Sequence, residues 1–129
     1  MKINDDFGHM LGDDVLRGIA STVQRNLRKI DVVCRYGGEE FAVILPSTRG
    51  ANAYAAAEKL RRAVSLAHYR GFALRVTISA GVAEFPTNGI TRDDLLRAAD
   101  AALYKAKQSG RDQVCWASAS AAQTRAPGD

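Results

Sequence analysis

Several common readings fail for want of material. The chain has only two cysteines, Cys34 in an apolar run and Cys115 near the C-terminus. That is no disulfide framework, and a reduced pair is the expected state. No apolar run approaches the length of a membrane span, and no signal peptide is visible. Lys and Arg number 18 against 14 acids, a net charge of +4 that favours anionic partners. These basic residues are scattered, with few interleaved aromatics, so no nucleic-acid surface is indicated. There is no internal repeat. The acids Asp5, Asp6, Asp13 and Asp14 lack the spacing of a calcium-binding EF-hand, and no Glu closes the pattern.

What is present is a globular composition. Hydrophobic residues make up 47% of 129 residues, enough for one domain with a real core. Residues 1–11 read as a polar loop punctuated by Gly8. A helix is predicted from about Asp13, with Leu16, Ile19, Ala20, Val23, Leu27 and Ile30 recurring at three- and four-residue steps. A turn cluster at 46–50 leads to a second helix over 51–67. It has Ala53, Ala57, Leu60 and Val64 inward, and Glu58 and Arg62 at pairing distance. Leu74, Val76, Ile78, Ala80 and Val82 alternate with other residues as in a strand, where Gly81 signals a bulge or a close backbone contact. Thr91 is a credible N-cap with Asp93 and Asp94 in the first turn of a third helix. Leu95, Leu96, Ala99, Ala102, Leu103 and Ala106 face inward along it, and Gly110 stops it. Val114, Cys115 and Trp116 read as a short last strand, and the Ala/Ser-rich 117–129 as a disordered tail.

Between the first two helices lies the stretch that carries most of the chemistry, Arg35-Tyr36-Gly37-Gly38-Glu39-Glu40-Phe41. Apolar runs flank it, Val32-Val33-Cys34 before and Phe41-Ala42-Val43-Ile44-Leu45 after, so it reads as the turn of a β-hairpin. Gly37 and Gly38 leave backbone open to a ligand. Two carboxylates beside bare backbone suit a hard cation and a phosphate-bearing substrate, though they also suit a solvated acidic turn. The order helix, hairpin, helix, strand, helix gives an α/β sandwich with antiparallel strand pairs.

Four motifs in this order carry a family resemblance: Asn4-Asp5-x-x-Gly8-His9-x-x-Gly12-Asp13, Arg28-x-x-Asp31, Gly37-Gly38-Glu39-Glu40-Phe41, and Ala99-Asp100-x-Ala102-Leu103-Tyr104-x-Ala106-Lys107-x-x-Gly110-Arg111. Together, over about residues 2–114, they closely resemble the GGDEF family, the diguanylate cyclases of bacterial signalling. The resemblance implies a fold like the palm of nucleotide cyclases and polymerases, a mixed and largely antiparallel sheet in an α/β sandwich. It implies condensation of two GTP into cyclic di-GMP with release of two pyrophosphates, by metal-assisted attack of a ribose 3′-hydroxyl on an α-phosphorus. Mg2+ or Mn2+ is the implied cofactor, and a cytoplasmic homodimer the implied working form, each subunit holding one GTP. An upstream sensor or receiver domain is the implied partner in a full-length protein. The alternatives are a catalytically inactive module that binds cyclic di-GMP and an incomplete, non-functional fragment.

By the same resemblance Glu39 is a metal ligand and candidate base, with Glu40 its partner carboxylate, and Gly37 and Gly38 lie against the nucleotide. Asn4 and Asp13 match the guanine-reading pair, and both groups suit a guanine edge. Asp13 also suits a plain helix N-cap. Lys107 and Arg111 match phosphate-contacting residues, although basic side chains at a helix end are also favoured by the helix dipole. Arg28 and Asp31 match an inhibitory product site, with Lys59 where the family often has another arginine. His9 reads as a packing or loop-bracing residue. The chain departs from the family pattern at its start. The family has a core strand ending in Asp-x-Asp-x-Phe-Lys just before the position of Asn4, and here the chain begins inside that motif. The expectation is a domain over 1–116 truncated at its N-terminus, with the first core strand missing, the second metal-binding aspartate absent, and neither Asp5 nor Asp6 placed to replace it.

Overall fold

In chain order the computed structural model contains β1 (Lys2–Asp5), α1 (Asp13–Arg25), β2 (Val32–Arg35), β3 (Glu40–Ile44), α2 (Gly50–Leu66), β4 (Ile78–Val82), α3 (Arg92–Gln108) and β5 (Val114–Trp116). The structure describes residues 1–7 and 11–118. Gly8 and His9 lie outside the described residues, as does the tail from 119 onward. Ala117, expected in that tail, instead donates its amide to the Val82 carbonyl at 2.7 Å, so the chain is still held just past β5. Among the described residues no helix is long and apolar enough to cross a membrane.

The helices start and stop for local reasons. Asp13 and Asp14 occupy the first turn of α1 and Arg25 the last, each at the favoured end of the helix dipole. Asn26 then leaves helical geometry, and its side chain donates back to the Thr22 carbonyl. Leu27 still packs on the core, but Ile30 is 58% exposed, so the apolar repeat outruns the helix by one turn. In α2 the inward positions Ala53, Ala57, Leu60 and Val64 are all buried, as the repeat predicts. The ion pair on its surface differs from the expected one. Glu58 pairs with Arg61, not Arg62, because Arg61 also reaches Asp112 at 2.9 Å and is drawn toward the protein. The Arg61 hydrogen bond holds the Glu58 carboxyl below its ordinary value. In α3 the Thr91 hydroxyl accepts from the Asp94 amide at 3.1 Å, the expected cap. At the other end the Arg111 amide reaches back to the Ala106 carbonyl across Gly110 at φ +116°, a conformation that favours glycine.

The five strands form one sheet in the order β2-β3-β1-β4-β5. β1 runs antiparallel to both β3 and β4, β2 antiparallel to β3, and β4 parallel to β5. This is the mixed, largely antiparallel palm-like sandwich expected from the resemblance. Its centre is a correction. Residues 2–5 are not loop, and the middle of the sheet is not missing: Lys2–Asp5 fills it, buried at all four positions. The reason is physical. A gap between β3 and β4 would leave two strand edges with unpaired backbone groups in the core. Ile3, fully buried, supplies the apolar side chain that the middle of the sheet requires. The other three residues are polar and poor strand formers, which is why sequence alone reads a loop.

β4 is shorter than its alternation suggests, since Leu74 is 65% exposed and the strand begins at Ile78. All five of its residues are buried, because both faces are covered. Ile78, Ala80 and Val82 join the main core with Ile19, Val23, Phe41, Leu60 and Val64. Gly81 lies on the opposite face, where a Cβ would sit 2.1 Å from the Ala99 carbonyl oxygen and 2.4 Å from the Leu103 nitrogen. The second of the two readings of Gly81, close backbone contact, therefore holds: α3 lies directly on β4 there.

Candidate active site

The β2–β3 hairpin presents its tip beside the middle of the sheet. The Tyr36 amide donates to the Glu40 carbonyl at 2.6 Å, and Arg35 Nε donates to the Gly38 carbonyl at 2.8 Å. Within that closure Gly37 takes φ +76°, where any other residue would be strained. Gly38 is not so constrained. A Cβ at either glycine would meet nothing within 4 Å, so both offer open backbone. Glu40 starts β3 directly opposite Asn4 of β1.

α3 closes the other side. Asp100, Leu103, Tyr104 and Lys107 recur at three- and four-residue steps and so share one face of the helix. They line a cavity of about 620 Å³ together with Tyr36, Gly37 and Glu40 of the hairpin and Lys2 of β1. The close seating of α3 on Gly81 fixes Ala99 and Leu103, and with them the neighbouring Asp100 and Lys107. The centre of the cluster is Lys2. Its ammonium lies 3.1 Å from Glu40 Oε1 and 3.5 Å from Asp100 Oδ1. It also stands 3.6 Å from the centroid of the Tyr36 ring, a cation–π contact. The Lys2 side chain is 3% exposed, whereas those of Glu40 and Asp100 are 38% and 54% exposed.

Of the residues expected at the site, Gly37, Glu40 and Lys107 line this cavity. Gly38 sits exposed next to Gly37, and Glu39 is half-buried at the hairpin tip without lining the cavity. Arg111 does not join Lys107 there. Its guanidinium lies 3.5 Å from Asp6 Oδ1, and the nearly buried Asp6 carboxylate also accepts from the Thr77 and Ser79 hydroxyls and the Asp112 amide. Asn4 is buried within β1, while Asp13 stands exposed at the start of α1, 3.9 Å from an Arg35 nitrogen. The two expected guanine readers thus sit in different surroundings. Lys2, Tyr36 and Tyr104 carried no role in the sequence reading, and Asp100 appeared only as a motif letter. Its seven-residue spacing from Lys107, two helical turns, was the signal that both share a face.

A second cluster lies at the edge of the sheet. Arg28 Nε and one terminal nitrogen embrace the Asp31 carboxylate at 2.7–3.1 Å, and the same nitrogen reaches the Pro46 carbonyl and the Thr48 hydroxyl. The Arg28 hydrogen bond is the main cause holding the Asp31 carboxyl below its ordinary value of 3.8. Lys59 is exposed on α2, and no ion pair links it to either residue among the described residues.

The fit of a metal can be tested on these donors. Among the described residues no group of three or more His, Cys, Asp or Glu side chains is placed to hold one. Among the described residues the carboxylates that line the cavity are those of Glu40 and Asp100, and they already share the Lys2 ammonium. A divalent cation such as Mg2+ needs a near-octahedral oxygen shell. With Lys2 in place the donor set does not fit it.

A family model described as diguanylate cyclase, GGDEF domain, matches residues 1–113. The response regulator PleD of Caulobacter vibrioides is 50% identical over 118 residues, which cover 88% of this chain and 26% of PleD. The chain therefore spans about a quarter of the length of that relative. Among solved structures, the active GGEEF domain of a diguanylate cyclase from Vibrio cholerae superposes with a TM-score of 0.80 at 30% identity, covering 91% of this chain and 80% of that one. The GGDEF domain of DgcB from Caulobacter crescentus, solved in complex with c-di-GMP, matches with a TM-score of 0.76 at 32% identity, covering 90% and 75%.

Proposed function

The chain belongs to the GGDEF family of diguanylate cyclase domains, and from that membership we propose that it condenses two GTP into cyclic di-GMP with release of two pyrophosphates. The observation that carries this reading is the cavity between the hairpin and α3, floored by Gly37 and Glu40 and walled by Tyr104 and Lys107. Its open glycine backbone admits a nucleotide, and the Lys107 ammonium suits the charge of a triphosphate. In the reaction a ribose 3′-hydroxyl attacks an α-phosphorus in line with departing pyrophosphate, so the chain's task is mainly to position and to neutralise charge. One cavity holds one GTP, so two copies must face each other across a two-fold axis for the two nucleotides to react. The reading places the domain in the bacterial cytoplasm, where GTP is available.

A second reading, a module that binds cyclic di-GMP without making it, is favoured by one observation. Lys2 is paired with Glu40, one of the two carboxylates expected to hold metal, whereas among the described residues Arg28 keeps one edge of its guanidinium outside its internal hydrogen bonds. Incubating the folded domain with GTP and Mg2+, and resolving the products by chromatography, separates the two. Cyclic di-GMP formed in step with pyrophosphate supports the cyclase. Bound cyclic di-GMP without turnover supports the module.

A further inference from the structure

We infer that a second cavity, behind α3 as seen from the nucleotide site proposed above, binds a small molecule with a flat apolar body and one anionic end. Its volume of about 660 Å³ lies within the range of small-ligand sites. The helix itself divides the two cavities. Asp94, Ala98, Ala101 and Lys105 recur at four- and three-residue steps, so they form one stripe of α3 that lines the second cavity. Asp100, Tyr104 and Lys107 stand on another side of the helix and line the first. Ala98 and Ala101 put no bulk on the stripe, which leaves the space open. Across it stand Ile90 and Trp116, 74% and 40% exposed. That wall is already formed. The buried Asn88 accepts the Glu84 amide at 2.7 Å through Oδ1 and donates Nδ2 to the Ser118 carbonyl at 2.8 Å. This ties the turn after β4 to the chain after β5. The Tyr54 ring backs Trp116, with centroids 5.7 Å apart. The indole offers a face on which a flat apolar body can stack. Charge sets the sign of the ligand. Arg97 and Asp94 pair at 2.8 Å and cancel. Lys105 is exposed at the far end of the stripe, and no ion pair engages it among the described residues. An apolar lining with one uncompensated cation is complementary to an apolar body that carries one negative charge. The inference is independent of the proposed reaction.

The test reads ligand binding, not turnover. The probe is anilinonaphthalene sulfonate, a flat aromatic anion, and the reporter is Trp116, the one tryptophan of the chain. Titrated into the full folded chain, the probe is expected to quench Trp116 saturably at one molecule per chain, with energy transfer to the probe. N-phenylnaphthylamine, which keeps the rings and lacks the sulfonate, is expected to bind about fivefold more weakly, and Lys105→Gln to abolish that preference. Ala101→Gln puts a bulky neutral side chain at an exposed helix position and is expected to weaken the probe about tenfold. Excess GTP leaves the probe in place. Binding without saturation, equal binding of the two probes, full binding by Ala101→Gln, or displacement by GTP overturns the inference. So does a Trp116 that neither acrylamide nor the probe reaches, since another segment of the chain or a second copy then covers the cavity. Should Ala101→Gln fail to fold, as judged by its circular dichroism melt, the two probes on wild type and Lys105→Gln decide alone. A chain that makes no cyclic di-GMP yet binds the probe in this way loses the proposed function and keeps the inference.

Discussion

The charged cluster at the middle of the sheet and the one at its edge are built in opposite senses. At the middle the cation is buried and the carboxylates face outward: Lys2 is 3% exposed against 38% for Glu40. At the edge the carboxylate is buried and the cation faces outward: Asp31 is 3% exposed against 52% for Arg28. In each pair the fold buries one partner and leaves the other partly exposed. The middle cluster therefore offers acidic oxygens to the cavity, already neutralised from below. The edge cluster offers a guanidinium whose position is fixed by a bidentate grip. The middle one depends on the core to hold its parts, whereas the edge one is assembled from residues three apart in sequence and a single neighbouring turn.

That contrast can be broken most forcibly from behind. Gly81→Ala places a methyl group 2.1 Å from the Ala99 carbonyl oxygen and so forces α3 off β4, moving Asp100 and Lys107. A loss of about 3 kcal/mol in urea unfolding is expected. A variant as stable as wild type would show that the seating of α3 does not depend on glycine there.

Glu40→Gln acts on the middle cluster itself. It leaves the buried Lys2 with Asp100 as its one carboxylate, and a buried charge losing a partner is costly. Because Glu40 is partly exposed, the expected loss is about 2 kcal/mol, below the figure for a fully buried pair. Unchanged stability in that variant would mean that Lys2 is not held as described.

The smallest effect belongs to the edge and appears as pH dependence. The Arg28 hydrogen bond lowers the Asp31 carboxyl in the folded domain. A lowered folded value contributes stability that is fully present above the ordinary value of 3.8 and is lost as pH falls through the folded value. The stability difference between wild type and Arg28→Ala is therefore constant near neutrality and shrinks in acid. Thermal melts of both proteins across that range check it, and a difference that grows in acid contradicts it.

How much of this was legible in the sequence follows from the range of the interactions. The Thr91 cap, the stop at Gly110 and the Gly-rich turn are decided within a few residues, and all stand where the sequence placed them. Gly81 was legible as a close contact because a glycine amid buried strand residues has few other uses. β1 was not legible. Lys2, Asn4 and Asp5 have poor strand propensity, and their place is set by pairing with residues some forty and eighty positions away, as the register of Lys2 with Ala42 and Gly81 shows. The same distance hid the site's centre. Glu40 could be read from its turn, but the lysine beside it belongs to a strand that sequence reads as loop. Arg111 shows the converse. It matches a phosphate-contacting position of the family beside Lys107, and after the turn at Gly110 its guanidinium lies against the buried Asp6.

The most direct measurement of the central claim is chromatography of the folded domain's products after incubation with GTP and Mg2+. The account predicts cyclic di-GMP, with two pyrophosphates released for each molecule formed. A folded domain that yields neither product contradicts it.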